Sequence, residues 1–102
     1  MSDPDQTACC LKGEEFQRRV VAAKEVLRTA LSVAETVNGY VFAFESNHAL
    51  LYELAELIDA ERQCCPFLTF TLAVPAQGRP FRLEITGPDG AKGFIRTELL
   101  SA

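Results

Sequence analysis

Apolar and polar residues alternate in two runs on either side of a turn region from Pro75 to Pro80, and this pattern constrains the fold more than any other. The apolar positions of the two runs are Leu68, Phe70, Leu72, Val74, Phe81, Leu83 and Ile85. Because successive side chains of a strand point to opposite faces, the runs predict a β-hairpin with one buried face. Other elements of the chain must cover that face.

A second hairpin is predicted upstream of the first. The dipeptide Asn38-Gly39 separates an alternating run at 31–37 from an apolar run at 40–44. Asn-Gly between strand-like runs is a strong hairpin signal, because both central residues of a type I′ turn need a positive φ. The sequence therefore predicts a tight turn of this type at the dipeptide.

Two amphipathic helices are predicted from apolar residues that recur at helical spacing. The first helix covers about 14–28, and either Ser46 or Asn47 can cap the second. The second helix should end near Cys65, because Pro66 disfavours helical geometry in the residue before it.

The predicted element order is α-β-β-α-β-β-α, since a short closing helix is expected after the Gly- and Pro-containing segment 87–90. This order predicts an α+β fold with a four-stranded antiparallel sheet whose helices lie mainly on one face. With 102 residues, of which 48% are hydrophobic, the chain suits a single domain at 1–102, with 1–8 expected to be flexible.

Charge and hydropathy narrow the classes of partner. The net charge is −4 and the charged residues are interspersed, so there is no basic patch to neutralise phosphates, and we expect no nucleic-acid partner. No apolar run approaches the roughly 20 residues that span a bilayer, so no membrane association is expected. The polar, acidic start is unlike a secretory signal, and the expected location is the cytoplasm, where thiols stay reduced.

All four cysteines occur as two adjacent pairs, Cys9-Cys10 and Cys64-Cys65. Neighbouring thiols can hold one soft metal ion, bind a trivalent arsenical or close a strained disulfide. If the second helix runs to the second pair, Glu61 lies one turn earlier on the same side of that helix. A carboxylate and two thiols would then converge at a helix end.

The electrostatic setting of the second pair favours a bound cation over a reactive thiolate. The partial negative charge of a helix C-terminus and the charge of Glu61 both raise the pKa of a nearby thiol, whereas Arg62 and Lys12 act in the opposite direction. The single histidine, His48, lies most of a helix away from Cys64, which argues against a cysteine-histidine hydrolase. We predict metal capture and assign no catalytic residue.

The predicted metal ligands are Cys64 and Cys65, with Cys9 or Cys10 completing the shell and Glu61 orienting the site. A few sulfur ligands suit mercury(II), copper(I) or arsenic(III) best. Zinc is possible but not the first choice, because the cysteine spacing lacks the Cys-x-x-Cys knuckles of zinc ribbons. Two other interpretations stay open. The same cysteines can serve a thiol–disulfide redox protein, or they can be structural core residues. A homodimer that shares one site also stays open.

Two segments carry specific motifs, Glu61-Arg62-Gln63-Cys64-Cys65-Pro66-Phe67 and Thr86-Gly87-Pro88-Asp89-Gly90-Ala91-Lys92. Through them the chain resembles a group of small bacterial proteins of unassigned function with a Glu-Arg-x-Cys-Cys-Pro-Phe motif. Similar segments are also fused to metal-responsive regulators of the mercury-resistance (MerR-like) type. The resemblance implies a role in heavy-metal handling, with Cys9, Cys64 and Cys65 at motif positions and Cys10 as an additional thiol.

Overall fold

The computed structural model describes the backbone of residues 13–100 and the side chains of residues 18 and 21–100. Helices and strands follow in the order α-β-β-α-β-β-α, which confirms the predicted order and the α+β class. The elements are α1 (Gly13–Leu27), β1 (Ser32–Glu35), β2 (Gly39–Phe44), α2 (His48–Cys64), β3 (Thr69–Ala73), β4 (Phe81–Thr86) and α3 (Ala91–Phe94). A 3-10 turn joins β3 to β4, and a π-helical segment, Ile95–Leu100, follows α3 directly.

The four strands form one antiparallel sheet in the spatial order β1-β2-β4-β3. Both predicted hairpins are present, and the pairing of β2 with β4 joins them at the centre of the sheet. In this register Phe42 lies opposite Leu83, which in turn lies opposite Leu72. Strands that are distant in sequence therefore place their apolar positions on the same face.

The apolar face of the sheet is covered by the helices, as predicted. The buried strand residues are Tyr40, Phe42, Phe44, Phe81, Leu83 and Ile85. Intervening positions such as Arg82 are exposed, and Glu84 is half-buried. On the covered side, α2 contributes Leu54 and Leu57 to the same core, in which both Cys64 and Cys65 are also buried.

The predicted type I′ turn at Asn38-Gly39 is wrong, because neither residue has a positive φ. Gly39 is instead the first residue of β2, and it pairs with Thr86 of β4. A Cβ atom at Gly39 would lie 1.8 Å from the carbonyl oxygen of Ile85. The glycine is thus required for the close approach of two central strands. The three residues 36–38 connect β1 to β2, and the N–H of Thr36 donates a hydrogen bond to the carbonyl of Gly39.

The two ends of α2 agree with the sequence prediction. The side chain of Asn47 accepts a hydrogen bond from the backbone N–H of Leu50 at 2.9 Å and so caps the helix. The helix ends at Cys64, and Cys65 forms the C-terminal cap with its N–H donating to the carbonyl of Glu61 at 2.6 Å. No helix in the described part of the chain is both long and apolar enough to cross a membrane.

The closing helix is tied to the first hairpin by polar contacts. Lys92 forms an ion pair with Glu35, and Arg96 donates a hydrogen bond to the hydroxyl of Tyr40 at 3.1 Å. The hydrogen bond and the positive charge of Lys92 hold the pKa of the Glu35 carboxyl below its ordinary value. The ion pair joins α3 to β1, and the hydrogen bond joins the π-helical segment to β2.

Candidate metal centre

The last turn of α2 brings a carboxylate and two cysteine sulfurs together, as the helical spacing predicts. Glu61, Cys64 and Cys65 are 3%, 1% and 2% exposed, respectively. The Sγ atom of Cys65 lies 3.7 Å from Sγ of Cys64 and 3.9 Å from Oε1 of Glu61. One donor atom from each residue lies within 4.8 Å of the other two, which confirms the predicted convergence.

This donor set fits a single metal ion. Two sulfur atoms that each lie about 2.3 Å from one tetrahedral ion are about 3.8 Å apart. The observed separation between the Cys64 and Cys65 sulfurs is 3.7 Å, and the carboxylate of Glu61 supplies a third donor on the same side. Two thiolates and one carboxylate would hold an ion at the helix end without any change in the backbone.

The two cysteines differ in their covalent state. Cys64 is disulfide-bonded, whereas Cys65 carries a buried thiol. Their sulfurs are 3.7 Å apart, far longer than the S–S bond of about 2.05 Å, so the two residues are not bonded to each other. The partner of Cys64 therefore lies outside the described residues. Metal binding through both sulfurs requires this disulfide to be reduced first.

The other predicted ligands, Cys9 and Cys10, lie outside the described residues. Their part in completing a metal shell stays a prediction. Lys12, which was expected to oppose cation binding, lies outside them as well.

Burial gives the site a low dielectric, which strengthens its electrostatic interactions. Glu61 is the one charged side chain, among those described, that is buried in the core. The carboxylate of Glu61 is in contact with Sγ of Cys65, and a bound cation would add compensating charge to this buried group. The C-terminal carbonyls of α2 add partial negative charge at the same point.

Arg62, which was expected to oppose a cation at this site, forms an ion pair with an acidic residue of the same helix. Its Nη2 atom lies 2.9 Å from Oδ1 of Asp59, and both side chains are more than 60% exposed. The guanidinium is therefore paired with a carboxylate and screened by solvent.

A cleft of about 610 Å³ between α1 and α2 reaches Glu61. Its described walls include Glu25, Glu53 and Glu56, together with a single basic residue, Arg18. Glu53 and Glu56 were not predicted as site residues; they are three residues apart on α2, a spacing that places two side chains on one side of a helix. The buried Glu61 thus lies at the inner end of a cleft whose described charged residues are mostly acidic.

The histidine lies away from this centre. His48 is exposed at the first turn of α2, where its ring packs edge-on against Tyr52 with ring centroids 5.0 Å apart. The Glu61, Cys64 and Cys65 group at the other end of α2 is the only such group of three metal-ligating side chains within the described residues.

Comparisons of this chain with protein-family models, curated proteins and solved structures find no match.

Proposed function

We propose that the reduced protein binds one soft metal or metalloid ion through Cys64, Cys65 and Glu61. The observation that carries this proposal is the group of three buried donor atoms within 4.8 Å of one another. Thiolates favour soft and borderline ions, and one carboxylate beside them favours positive charge. A protein with this site buffers, delivers or senses the ion.

The sulfur separation distinguishes the candidate ions. Arsenic(III) and zinc bind sulfurs at a bent angle, which the present separation of 3.7 Å accommodates. A linear ion such as mercury(II) or copper(I), with bonds of similar length, needs sulfurs about 4.6 Å apart. A side-chain rotation at Cys64 or Cys65 supplies that opening. We therefore expect arsenite and zinc to bind the donors as they stand, and mercury(II) and copper(I) after this adjustment.

The motif supports the same proposal. The chain resembles small bacterial proteins with a Glu-Arg-x-Cys-Cys-Pro-Phe motif, and similar segments are also fused to metal-responsive regulators. Glu61, Cys64 and Cys65 are three positions of this motif. The motif lies at the end of α2, where its glutamate and both cysteines are close enough to bind the same ion. Burial in the core keeps a bound ion away from competing water and small thiols.

The direct test is a titration of the reduced protein with arsenite, zinc(II), mercury(II) and copper(I), followed by ultraviolet absorbance and competition with a chelator. We expect one ion per site, and a loss of affinity of more than about 100-fold in the Cys64→Ser/Cys65→Ser variant, since changing residues outside the ligand shell already costs 10–100-fold. Circular dichroism checks that the variant is folded. Equal affinity in a folded double variant contradicts the proposal.

A second candidate function is thiol–disulfide redox activity, and the disulfide at Cys64 beside the thiol of Cys65 favours it. In this case an incoming thiolate attacks the disulfide and forms a mixed disulfide, which a second thiol then resolves. The rate of alkylation of the reduced protein against pH tests this function. A cysteine that reacts rapidly below pH 7 supports it, and ordinary or slow reaction at all four cysteines contradicts it.

A further inference from the structure

The sulfur of Cys64 belongs both to the candidate metal group and to a disulfide. A sulfur in a disulfide has no thiolate to offer an ion, and a sulfur bound to an ion is not available for oxidation. We propose that the disulfide of Cys64 is a redox switch that closes and opens the metal site. This inference rests on the proposed function, because it assigns the regulation of the same site.

The geometry makes the switch depend on Cys64 alone. In the oxidised protein the donors left at the helix end are the thiol of Cys65 and the carboxylate of Glu61, 3.9 Å apart. One thiolate and one carboxylate form a weak, two-donor site. Reduction at Cys64 adds the third donor 3.7 Å from Cys65, without a movement of the helix.

A vicinal disulfide between the paired cysteines is an unfavourable oxidised form. The Cα atoms of neighbouring residues are about 3.8 Å apart across a trans peptide, shorter than the 4.4–6.8 Å that disulfides usually span. No cis peptide bond occurs among the described residues. The structure accordingly keeps Cys65 as a thiol and bonds Cys64 elsewhere.

The chain has two further cysteines, Cys9 and Cys10, outside the described residues. Either one is available by sequence to form the bond to Cys64. Reduction then proceeds in two exchanges. A thiolate of an external dithiol reductant attacks the protein disulfide and releases one protein thiol, and its second thiol displaces the other as the reductant itself becomes a disulfide. Two electrons and two protons pass to the protein, and the thiols of Cys64 and Cys65 lose their protons when the ion binds.

Ion binding and reduction are thermodynamically linked in both directions. An ion that binds the reduced form alone, at a concentration 100 times its dissociation constant, stabilises that form about 100-fold. For a two-electron couple this factor raises the midpoint potential of the disulfide by about 59 mV, because the reduced form is the one that the ion stabilises. The shift is measurable without any assay of ion uptake.

The test compares the affinity of reduced and oxidised protein for cadmium(II) and for arsenite. The oxidised protein is prepared with glutathione disulfide, freed of excess reagent and checked by thiol counting and non-reducing electrophoresis. We expect the affinity to fall more than about 100-fold on oxidation. This loss exceeds the 10–100-fold decrease in affinity that mutations of residues outside the ligand shell typically cause. In the matched Cys9→Ser/Cys10→Ser variant, the affinities before and after the oxidising treatment should differ by less than about threefold.

Each outcome separates the switch from the proposed function. Tight binding in both states of the natural protein overturns the switch and leaves metal binding intact. Absence of binding by the fully reduced protein overturns the proposed function itself. An affinity loss on oxidation that persists in the Cys9→Ser/Cys10→Ser variant overturns the intrachain switch, because Cys64 then loses its thiolate by another route.

Discussion

The Oε1 atom of Glu61 lies 3.9 Å from Sγ of Cys65, although Glu61 is inside α2 and Cys65 is the residue that ends it. The backbone bond from the N–H of Cys65 to the carbonyl of Glu61 sets this relationship, since it folds the cap residue back over the last turn. Both side chains consequently point into the core from the same side. The helix terminus therefore carries a group of side chains that could hold a metal ion.

Replacing Glu61 with Gln tests the carboxylate as part of that group. Gln keeps the size of the side chain but removes its charge. Because residues outside the ligand shell already cost about 10–100-fold when changed, we expect the loss of this ligand to lower the affinity of the reduced protein for zinc(II) or cadmium(II) by at least that much. Competition with a chromophoric chelator measures the change. Glu53→Gln is the matched control, because it removes an exposed carboxylate from the same helix. Equal affinities for the two variants would exclude Glu61 from the donor group.

Removing the N-terminal cap of α2 tests how far the site depends on its helix. In Asn47→Ala the hydrogen bond to the N–H of Leu50 is lost, and we expect the free energy of unfolding to fall by about 1 kcal/mol. Denaturant unfolding monitored by circular dichroism measures this loss. Ser46→Ala, which changes the neighbouring exposed residue, should alter stability by less than about 0.5 kcal/mol. A larger loss in the Ser46 variant would mean that the cap has been assigned to the wrong residue.

The pairing of β2 with β4 should be intolerant of a side chain at Gly39. A Cβ atom there meets the Ile85 carbonyl oxygen at 1.8 Å, and a backbone atom in a central strand cannot move aside easily. We expect Gly39→Ala to lower the free energy of unfolding by about 3 kcal/mol or more, the upper end for overpacked sites. Thermal and urea unfolding both report it.

The control for this substitution is Gly93→Ala in α3, where no atom lies within 4 Å of the new methyl group. This change should raise stability by about 0.4–1 kcal/mol, because it reduces the conformational entropy of the unfolded chain in a helical position. If the two variants were equally stable, the close approach of β2 and β4 would not be the reason for glycine at position 39.

The ion pair between Lys92 and Glu35 predicts a pH dependence. The pKa of Glu35 is lower in the folded than in the unfolded protein, because the hydrogen bond and charge of Lys92 favour the carboxylate. Its contribution to stability is therefore present above the unfolded pKa and is lost as the pH falls through the folded value. NMR titration of the Glu35 carboxyl should show a higher pKa in Lys92→Met and no change in Lys24→Met. An unchanged pKa in Lys92→Met would contradict the assigned cause.

Local patterns were sufficient to predict most individual elements. The alternation at 68–85 predicted the hairpin of β3 and β4, and Asn47 and Pro66 correctly bounded α2. Helical spacing also placed Glu61 beside the cysteine pair. These predictions succeed because strand alternation, capping and i to i+3 or i+4 neighbours depend on residues close in sequence.

Long-range contacts decided the rest, and Gly39 is the clearest case. Its sequence context is typical of a turn that needs positive φ, yet the residue lies in β2 and makes room for the backbone of Ile85. No local pattern contains the information that β2 pairs with β4, because that register is set by matching apolar faces across the chain. The acidic cleft between α1 and α2 likewise exists only once the two helices pack.

The sequence by itself determined that a glutamate and two cysteines share the end of a helix, because the helical repeat places them on one side. Only the tertiary structure decided that this helix end is buried against the sheet, with Cys64 in a disulfide and Cys65 as a thiol. The physical reason is that the helical repeat acts within one turn of the chain. Burial and covalent state, in contrast, depend on which distant segments the sheet and helices bring together.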